Sequence, residues 1–393
     1  MPMNVFKKII LLSFVSCASS SAVMITPGLP LLRHSFQLSD SSLQWIVSLF
    51  LFGYVIGQLI YAPLANSLGT IKALTIGLSI NLIGILICLV GIIHHDYTIL
   101  LVGRLTSALG SAAGLTCTFM IIRKTFDGIE AKQMLSLVVI SFSVSVSLAI
   151  LIGGFLTQYI SWQSIFYALL FHGVLLLIGT RQFKVEETTQ PFEIQSMISN
   201  YRQALSNRSL VYYSMLVGLA SVVNYTYSTA TPLFSYTQLG LNPAQFGLWN
   251  ITMLISSLLS GGTSLYCMRH FDLHSIILVA TALCCLPLIS LLAFFLTHSS
   301  YPLWYFINTA LLRFLAGLIS PCGVYFATRS ISNTSHASSA MSFINMLSAT
   351  VSVIILGVLP FHILMDFILV LAGFIVLTKV VGWISPRVSE DPS

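Results

Sequence analysis

The chain has 393 residues, of which 56 % are hydrophobic and 7 % are charged, and its formal net charge is +6. A typical soluble domain is about one quarter charged, so a water-soluble globular fold of this length is excluded. The seven cysteines lie in apolar runs without paired spacing, which favours packing residues over a disulfide framework or a zinc site.

The first predicted element begins like a secretory signal peptide. Lys7 and Lys8 precede an apolar run that leads into small residues at 17–22. The apolar character continues to Leu32, however, which is long enough to cross a membrane. We therefore predict an uncleaved first membrane helix.

Twelve segments are long and apolar enough to span. A spanning helix needs about 20 mainly apolar residues, because the hydrocarbon core is about 30 Å thick. The segments are 9–31, 42–63, 73–93, 97–121, 134–157, 162–180, 210–236, 243–266, 274–296, 302–325, 337–358 and 361–383. The predicted organisation is a six-helix bundle over 1–180, a charged cytoplasmic linker over 181–209, and a second six-helix bundle with a short cytoplasmic tail over 210–393.

The distribution of lysine and arginine predicts the orientation, since positive loops stay in the cytoplasm. With the N-terminus inside, the opposite side carries only Arg33. The cytoplasmic side carries Lys7, Lys8, Lys72, Arg123, Lys124, Lys132, Arg181, Lys184, Arg202, Arg208, Arg269, Arg329, Lys379 and Arg387. Both termini are therefore expected to be cytoplasmic, in a protein of the cytoplasmic (inner) membrane. Topology alone explains the positive net charge, so no nucleic-acid partner is expected.

Two stretches read almost alike: RLTSALGSAAG from Arg104 and RFLAGLISPCG from Arg313. They lie 313 − 104 = 209 residues apart, in the fourth and tenth spans. Leucine, serine and glycine recur at the same offset, as Leu109/Leu318, Ser111/Ser320 and Gly114/Gly323. Parallel repeats of this kind are one of the known transporter architectures, with the solute site at the interface between the repeats.

A charge inside a membrane span is costly and usually marks a pathway, so the two arginines predict a substrate or coupling cavity. Polar residues at helical spacing complete the predicted cavity, which consists of Arg104, Ser107, Ser111, Asn224, Tyr225, Asn308 and Arg313. Two alternatives stay open. The arginines could be structural and bond to the carbonyls of neighbouring helices, and the small polar residues could be ordinary helix-packing residues.

Several stretches resemble the major facilitator superfamily, and most closely its bicyclomycin/chloramphenicol-resistance (Bcr/CflA) drug-exporter subfamily. They are MITPGLPLL, SLQWIVSLFLFGYVIGQLIYAPLANSLG, RLTSALGSAAG and GGFL…SWQSIF. The resemblance implies an all-α polytopic membrane protein with twelve transmembrane helices in two pseudo-symmetric six-helix bundles. It also implies a central cavity lined by helices 1, 4, 7 and 10, halves that rock to alternate access, and a role in proton coupling for Arg104.

The chain departs from the family pattern at two places. In the gating loop between helices 2 and 3, Asn66 replaces an acid, and Gly69 and Lys72 are what remains of a glycine- and arginine-rich motif. The helix-5 antiporter motif keeps Gly153 and Gly154 but has lost its glycine–proline pair. The charged latch that the resemblance implies is therefore largely absent.

Titratable groups inside the spans are few. Asp366 is the one acidic residue, and its place near the start of the last span predicts an interfacial carboxylate that faces water. His172 could titrate near neutrality, although a hydrogen-bonded packing histidine is the commoner case. Two arginines without buried acids favour an anionic, zwitterionic or neutral solute.

The predicted function is a secondary active transporter that moves a small organic solute by alternating access, of the drug- or metabolite-efflux type, with proton antiport as the coupling under consideration. One alternative is uptake or exchange of an anionic or zwitterionic metabolite without proton coupling, and another is a non-transporting receptor-like protein. No metalloprotease or nucleotide-binding motif is present, so no enzymatic activity, metal or cofactor is expected. The expected partners are the lipid bilayer, the solute and protons, and the expected state is a monomer.

Overall fold

The computed structural model describes residues 4–183, 202, 205–331 and 334–385, and within these ranges it contains helices and no β-strand. Most of the predicted cytoplasmic linker (184–201, 203 and 204) and the tail beyond 385 lie outside the described residues.

Six helical spans, α1 to α6, make up the first half of the chain. Their bounds are Val5–Phe36 for α1, Asp40–Leu68 for α2, Thr70–Ile93 for α3, Tyr97–Thr125 for α4, Gly128–Tyr159 for α5 and Ser164–Gly179 for α6. A 3-10 turn over Thr180–Gln182 follows α6.

The first span is broken, because it consists of helices over Val5–Ser13, Ser16–Val23 and Leu29–Phe36 with a 3-10 turn at Thr26–Gly28. Pro27 explains the break, since a proline has no N–H to donate to the carbonyl four residues earlier, which is that of Val23. The hydroxyl of Thr26 donates to that carbonyl instead, at 2.9 Å. The Val23 carbonyl is therefore satisfied within α1 itself. The break lies deep in the protein, where Thr26 is fully buried.

Six further spans, α7 to α12, follow the linker. Their bounds are Arg208–Thr237 for α7, Pro243–Trp249 and Ile251–His270 for α8, Leu273–Leu283 and Cys285–Leu296 for α9, Pro302–Arg329 for α10, Thr334–Val358 for α11 and Ile363–Trp383 for α12. Eleven of the described helices are long and apolar enough to cross a membrane. The exception is α7, which has 30 residues but many polar side chains.

The polar side chains of α7 are accommodated by its own backbone. Ser214, Thr226, Ser228 and Thr229 each donate a hydrogen bond to the carbonyl four residues earlier. Serine and threonine satisfy their hydroxyls in this way in helices that lack access to water. Since α7 packs against α10, α11 and α12 and is buried along most of its length, it forms the centre of the second half.

Backbone contacts divide the chain into two compact units. The first comprises Met1–Glu193 and Leu241–Ile251, and the second comprises Ile194–Gly240 and Thr252–Ser393. The first piece of α8 thus belongs to the unit of α1 to α6, because it packs on α5. Glycines permit this approach: a Cβ on Gly154 would lie 2.5 Å from the carbonyl oxygen of Pro243.

Candidate functional site

Arg104 lies in the interior of the first unit, where 1 % of its surface is exposed. It stands about 10 Å along α4 from the start of that helix, at about 1.5 Å per residue. Its guanidinium donates to three backbone carbonyls: those of Ser21 at 2.6 Å, Ala22 at 3.4 Å and Ile46 at 3.4 Å. The guanidinium also stacks over the ring of Phe50, 4.3 Å from its centroid.

These contacts connect α4 to α1 and α2 at the break in α1. The backbone bonds beside the break run from Met24 N–H to the Ser20 carbonyl and from Gly28 N–H to the Ile25 carbonyl. The α1 carbonyls to which Arg104 donates, those of Ser21 and Ala22, lie between these two bonds along the chain. The planar guanidinium presents donors on three separate nitrogens and so reaches acceptors that lie apart, whereas a lysine has its donors on a single ammonium. This is the geometry of the structural alternative, in which the arginine satisfies carbonyls of its neighbours.

The polar stripe of α4 packs against α3 and α1. Ser107 is buried, and both its hydroxyl and its carbonyl accept from the side-chain amide of Asn81, each at 2.9 Å. The same amide also donates to the hydroxyl of Ser21, at 3.2 Å. Ser111 is fully buried and donates to the Ala108 carbonyl within its own helix. Sequence reasoning missed Asn81, although an asparagine within the apolar run of α3 was a signal for it.

Arg313, the repeat partner of Arg104, is half-buried in the second unit. Its Nε donates to the Ser257 hydroxyl on α8 and its Nη1 to the Ala220 carbonyl on α7, both at 2.9 Å. The guanidinium also lies within electrostatic range of the Tyr225 hydroxyl. Arg313 therefore has fewer protein partners than Arg104 and a more open environment, although the two residues occupy equivalent repeat positions.

The other predicted residues of the second unit are nearly buried. Asn224 and Asn308 are each 8 % exposed, and Tyr225 is 3 % exposed. The Asn308 amide donates to the Trp304 carbonyl at 2.8 Å within α10. Of the predicted residues, Tyr225 and Arg313 are brought together, since they lie within electrostatic range of each other. A buried pair that sequence reasoning missed lies nearby in the chain: the hydroxyls of Thr231 and Tyr305 are 2.8 Å apart and connect α7 to α10.

The predicted gating loop is reduced to a single residue between α2 and α3. Gly69 has φ 99°, a left-handed conformation that favours glycine and explains its presence at this tight turn. Asn66 and Lys72 are exposed. Lys124, at the end of α4, donates to the Thr70 hydroxyl at 2.9 Å and so connects α4 to the start of α3. No pattern in the sequence predicted this contact.

The glycine pair of α5 lies where two backbones approach most closely. A Cβ on Gly153 would lie 2.0 Å from the Met24 carbonyl oxygen at the break in α1, while Gly154 faces Pro243 in the first piece of α8. No side chain fits at these distances without a backbone shift. The remnant of the helix-5 motif thus has a packing role within the first unit.

The two residues that the sequence offered as proton carriers, His172 and Asp366, differ in their surroundings. His172 of α6 hydrogen-bonds to the Ser16 hydroxyl of α1 at 2.8 Å, as the packing alternative requires. Asp366 is 4 % exposed, so the prediction of a carboxylate that faces water is wrong. The sequence placed it correctly near the start of α12, but it could not show that neighbouring helices cover this turn. Among the described residues, no group of three histidine, cysteine or acidic side chains could hold a metal ion.

Twelve helices and an arginine at equivalent positions of two repeats define an all-α polytopic membrane protein of two six-helix bundles. Residues 9–356 match the family model described as Major Facilitator Superfamily. The chain therefore belongs to the Major Facilitator Superfamily.

Relatives agree with this assignment, and a solved structure agrees with the fold. The MFS-type transporter YdgK of Bacillus subtilis is 26 % identical over 232 residues, which cover 57 % of this chain and 57 % of that relative. Multidrug resistance protein MdtM of Escherichia coli O157:H7 is 21 % identical over 390 residues, which cover 96 % of this chain and 93 % of that protein. A solved D-xylose-proton symporter superposes with a TM-score of 0.79 at 14 % identity, covering 98 % of each chain, which shows the fold alone.

Proposed function

We propose that the chain is a secondary active transporter that exports a small organic solute by alternating access. The observation that carries this proposal is the environment of Arg313, a half-buried residue inside a membrane span whose guanidinium has one side-chain hydroxyl and one backbone carbonyl as its hydrogen-bond partners. A charge in such a position usually marks a substrate or ion pathway. The multidrug resistance name of a relative matched over almost its whole length supports export as the direction.

The chemistry of the site favours a solute that can accept hydrogen bonds from an arginine. A guanidinium has five N–H donors, so Arg313 retains donors beyond its two protein bonds. Tyr225 on α7 and Asn308 on α10, the helix of Arg313, offer further polar groups. An anionic, zwitterionic or strongly polar neutral solute matches these groups best, and the proposal involves no enzymatic step.

Arg104 has a supporting role in this proposal. Two of its three carbonyl partners, Ser21 and Ala22, lie at the break in α1, where a wrong helix direction would displace every residue that follows, and the third, Ile46, lies on α2. We propose that Arg104 holds α1 in its broken form, while Arg313 contacts the solute. Arg313→Ala should therefore lower flux per folded protein strongly, and Arg313→Lys should restore part of it because the charge is kept.

A second candidate function is the exchange of an anionic metabolite without protons. It is favoured by the scarcity of acids, since Asp40 and Glu130 lie in the first turns of α2 and α5 and Asp366 is the one further acidic residue in the described spans. A receptor-like protein is the third candidate, favoured by the neutral Asn66 in the gating loop.

Flux assays in proteoliposomes, with and without a pH gradient, separate the three candidates. Acceleration by the proton gradient supports export with proton antiport. Counterflow that depends on solute alone supports exchange, and the absence of flux with every tested solute supports the receptor and overturns the transport proposal. Arg313→Ala serves as the matched site variant, and Thr106→Ala, whose hydroxyl bonds to the Val102 carbonyl of its own helix, serves as the control.

A further inference from the structure

The first turn of α12 contains a carboxyl group that is covered by protein. Asp366 is 4 % exposed, and its Oδ1 atom is buried with no hydrogen-bond partner. The backbone N–H of Phe361 lies near the carboxyl group and provides one favourable contact. One oxygen of the acidic side chain is thus enclosed without a hydrogen-bond partner, and a single backbone N–H is the favourable contact of the group.

No cation of the described residues neutralises this carboxyl group. The one ion pair found among them joins Lys8 to Glu130 in the first unit. On α12 itself, Lys379 lies 13 residues further on, which is about 20 Å along the helix at about 1.5 Å per residue. The guanidinium of Arg313 donates to Ser257 and Ala220 instead of to Asp366.

The helices packed against α12 offer no charged partner at this end. They are α7, the second piece of α9, and α11. Their titratable groups in the corresponding halves are Tyr225, Tyr227 and Tyr236 of α7 together with Cys285 and His298 in and after α9, and α11 contributes none. Burial of an unpaired carboxylate costs several kcal/mol, whereas burial of the neutral acid costs far less. The environment therefore favours a bound proton.

His362 is the nearest titratable residue in sequence, one helical turn before Asp366. Its Nδ1 accepts from the Leu364 N–H at 3.3 Å, as the N-cap of α12. Its ring lies between Phe295 and Phe234, with centroids 5.3 and 6.1 Å away. This burial lowers the pKa of the imidazole, so the neutral form prevails at neutral pH. With Nδ1 as acceptor, the ring carries its proton on Nε2. His362 remains partly exposed, and so it has access to solvent.

We propose that Asp366 is the residue that binds the transported proton in this chain, and that it exchanges this proton with the outer solution through His362. The proposal rests on the proposed function for its transport role but not for the protonation itself. In the exchange, an N–H bond of the protonated imidazole breaks as the O–H bond of the carboxylic acid forms. The protonated imidazole forms beforehand, when a hydronium ion of the outer solution protonates the neutral ring and becomes water, so the net reaction transfers one proton from the solution to the carboxylate.

Infrared spectroscopy of the full chain in liposomes tests the protonation directly. The carbonyl stretch of a protonated carboxylic acid differs from that of a carboxylate, and titration with pH separates the two. We expect the wild type to show the protonated band at neutral pH and Asp366→Asn to lack it. The exposed Glu130→Gln variant is the matched control and should keep the band. A wild-type spectrum without the band, or a band that persists in Asp366→Asn, overturns the proposal.

The role of His362 has its own readout. In deuterated buffer, the Asp366 band should shift more slowly in His362→Gln than in the wild type, because the exchange route is lost while the carboxyl group stays in place. An unchanged exchange rate would remove His362 from the proposal.

Transport assays separate this inference from the proposed function. Asp366→Asn should retain solute counterflow but lose its acceleration by a pH gradient. If the acceleration survives, Asp366 is not the coupling residue. If the wild type transports no solute, the proposed function fails, while the infrared result still decides whether Asp366 binds a proton.

Discussion

Replacement of Arg104 by alanine should destabilise the first unit. The substitution removes one short hydrogen bond, to the Ser21 carbonyl at 2.6 Å, and two long ones at 3.4 Å to Ala22 and Ile46. A hydrogen bond to a charged group contributes about 1.5–3 kcal/mol, and interhelical bonds in membranes average about 0.6 kcal/mol. One strong and two weak bonds therefore give a loss of about 3–4 kcal/mol. Loss of the stacking on Phe50 adds about 2 kcal/mol, because both residues are buried.

The assay is reversible unfolding of the purified protein in mixed detergent–SDS micelles. Arg104→Lys should fall between the wild type and Arg104→Ala, because one ammonium can reach one or two of the carbonyls but lacks the planar arrangement of the guanidinium donors. Thr106→Ala, on the same helix, should unfold like the wild type. If Arg104→Ala unfolds at the wild-type SDS fraction yet loses all flux per folded protein, the carbonyl bonds contribute nothing and the arginine is a pathway charge, which refutes the structural reasoning.

Three further predictions concern packing, topology and pH. Gly153→Ala should lower stability by more than 2 kcal/mol, roughly the cost of overpacking a tight contact, while Gly261→Ala, which meets no atom within 4 Å, should be neutral in the same unfolding assay. A cysteine at His95 should react with an impermeant reagent from outside intact cells, and one at Gln190 only after permeabilisation; the reverse pattern would invert the topology. Burial lowers the pKa of His362 in the folded protein. The folded protein should therefore be fully stable above the ordinary histidine pKa of about 6.5 and should lose stability as the pH falls through the folded pKa. The His362→Gln variant should lose less stability than the wild type between pH 7 and pH 5.

Composition and hydropathy were sufficient to predict the spans, because the length of a membrane helix depends on bilayer thickness. Their ends were less predictable. The second span was expected to end at 63, where Pro63 stands, but α2 continues to Leu68. Prolines are tolerated inside membrane helices, since neighbouring groups satisfy the backbone that they leave unpaired. The break inside α1 was likewise invisible to a count of apolar residues.

The candidate site was predicted less completely, because a sequence gives residue types but not partners. The sequence repeat predicted similar roles for Arg104 and Arg313, yet Arg104 bonds to three carbonyls and Arg313 to a hydroxyl and a carbonyl. Asn81, which bonds to Ser107, and Ser257, which bonds to Arg313, lie on helices whose apolar character drew no attention to them. Side-chain contacts across helices depend on helix rotation, which one sequence does not determine.

The composition of α7 has a consequence for how the chain enters the membrane. Leucine, isoleucine and valine at a helix centre each favour insertion by about 0.3–0.6 kcal/mol, and the many serines, threonines and tyrosines of α7 dilute that gain. Its main packing partners, α10 to α12, are synthesised only after about 65 more residues have left the ribosome. We expect this weakly inserting segment to integrate stably only when those helices arrive. Biogenesis of the second half should therefore be the slow step of membrane integration, and a hydropathy scan that omits α7 would place the two termini on opposite sides of the bilayer.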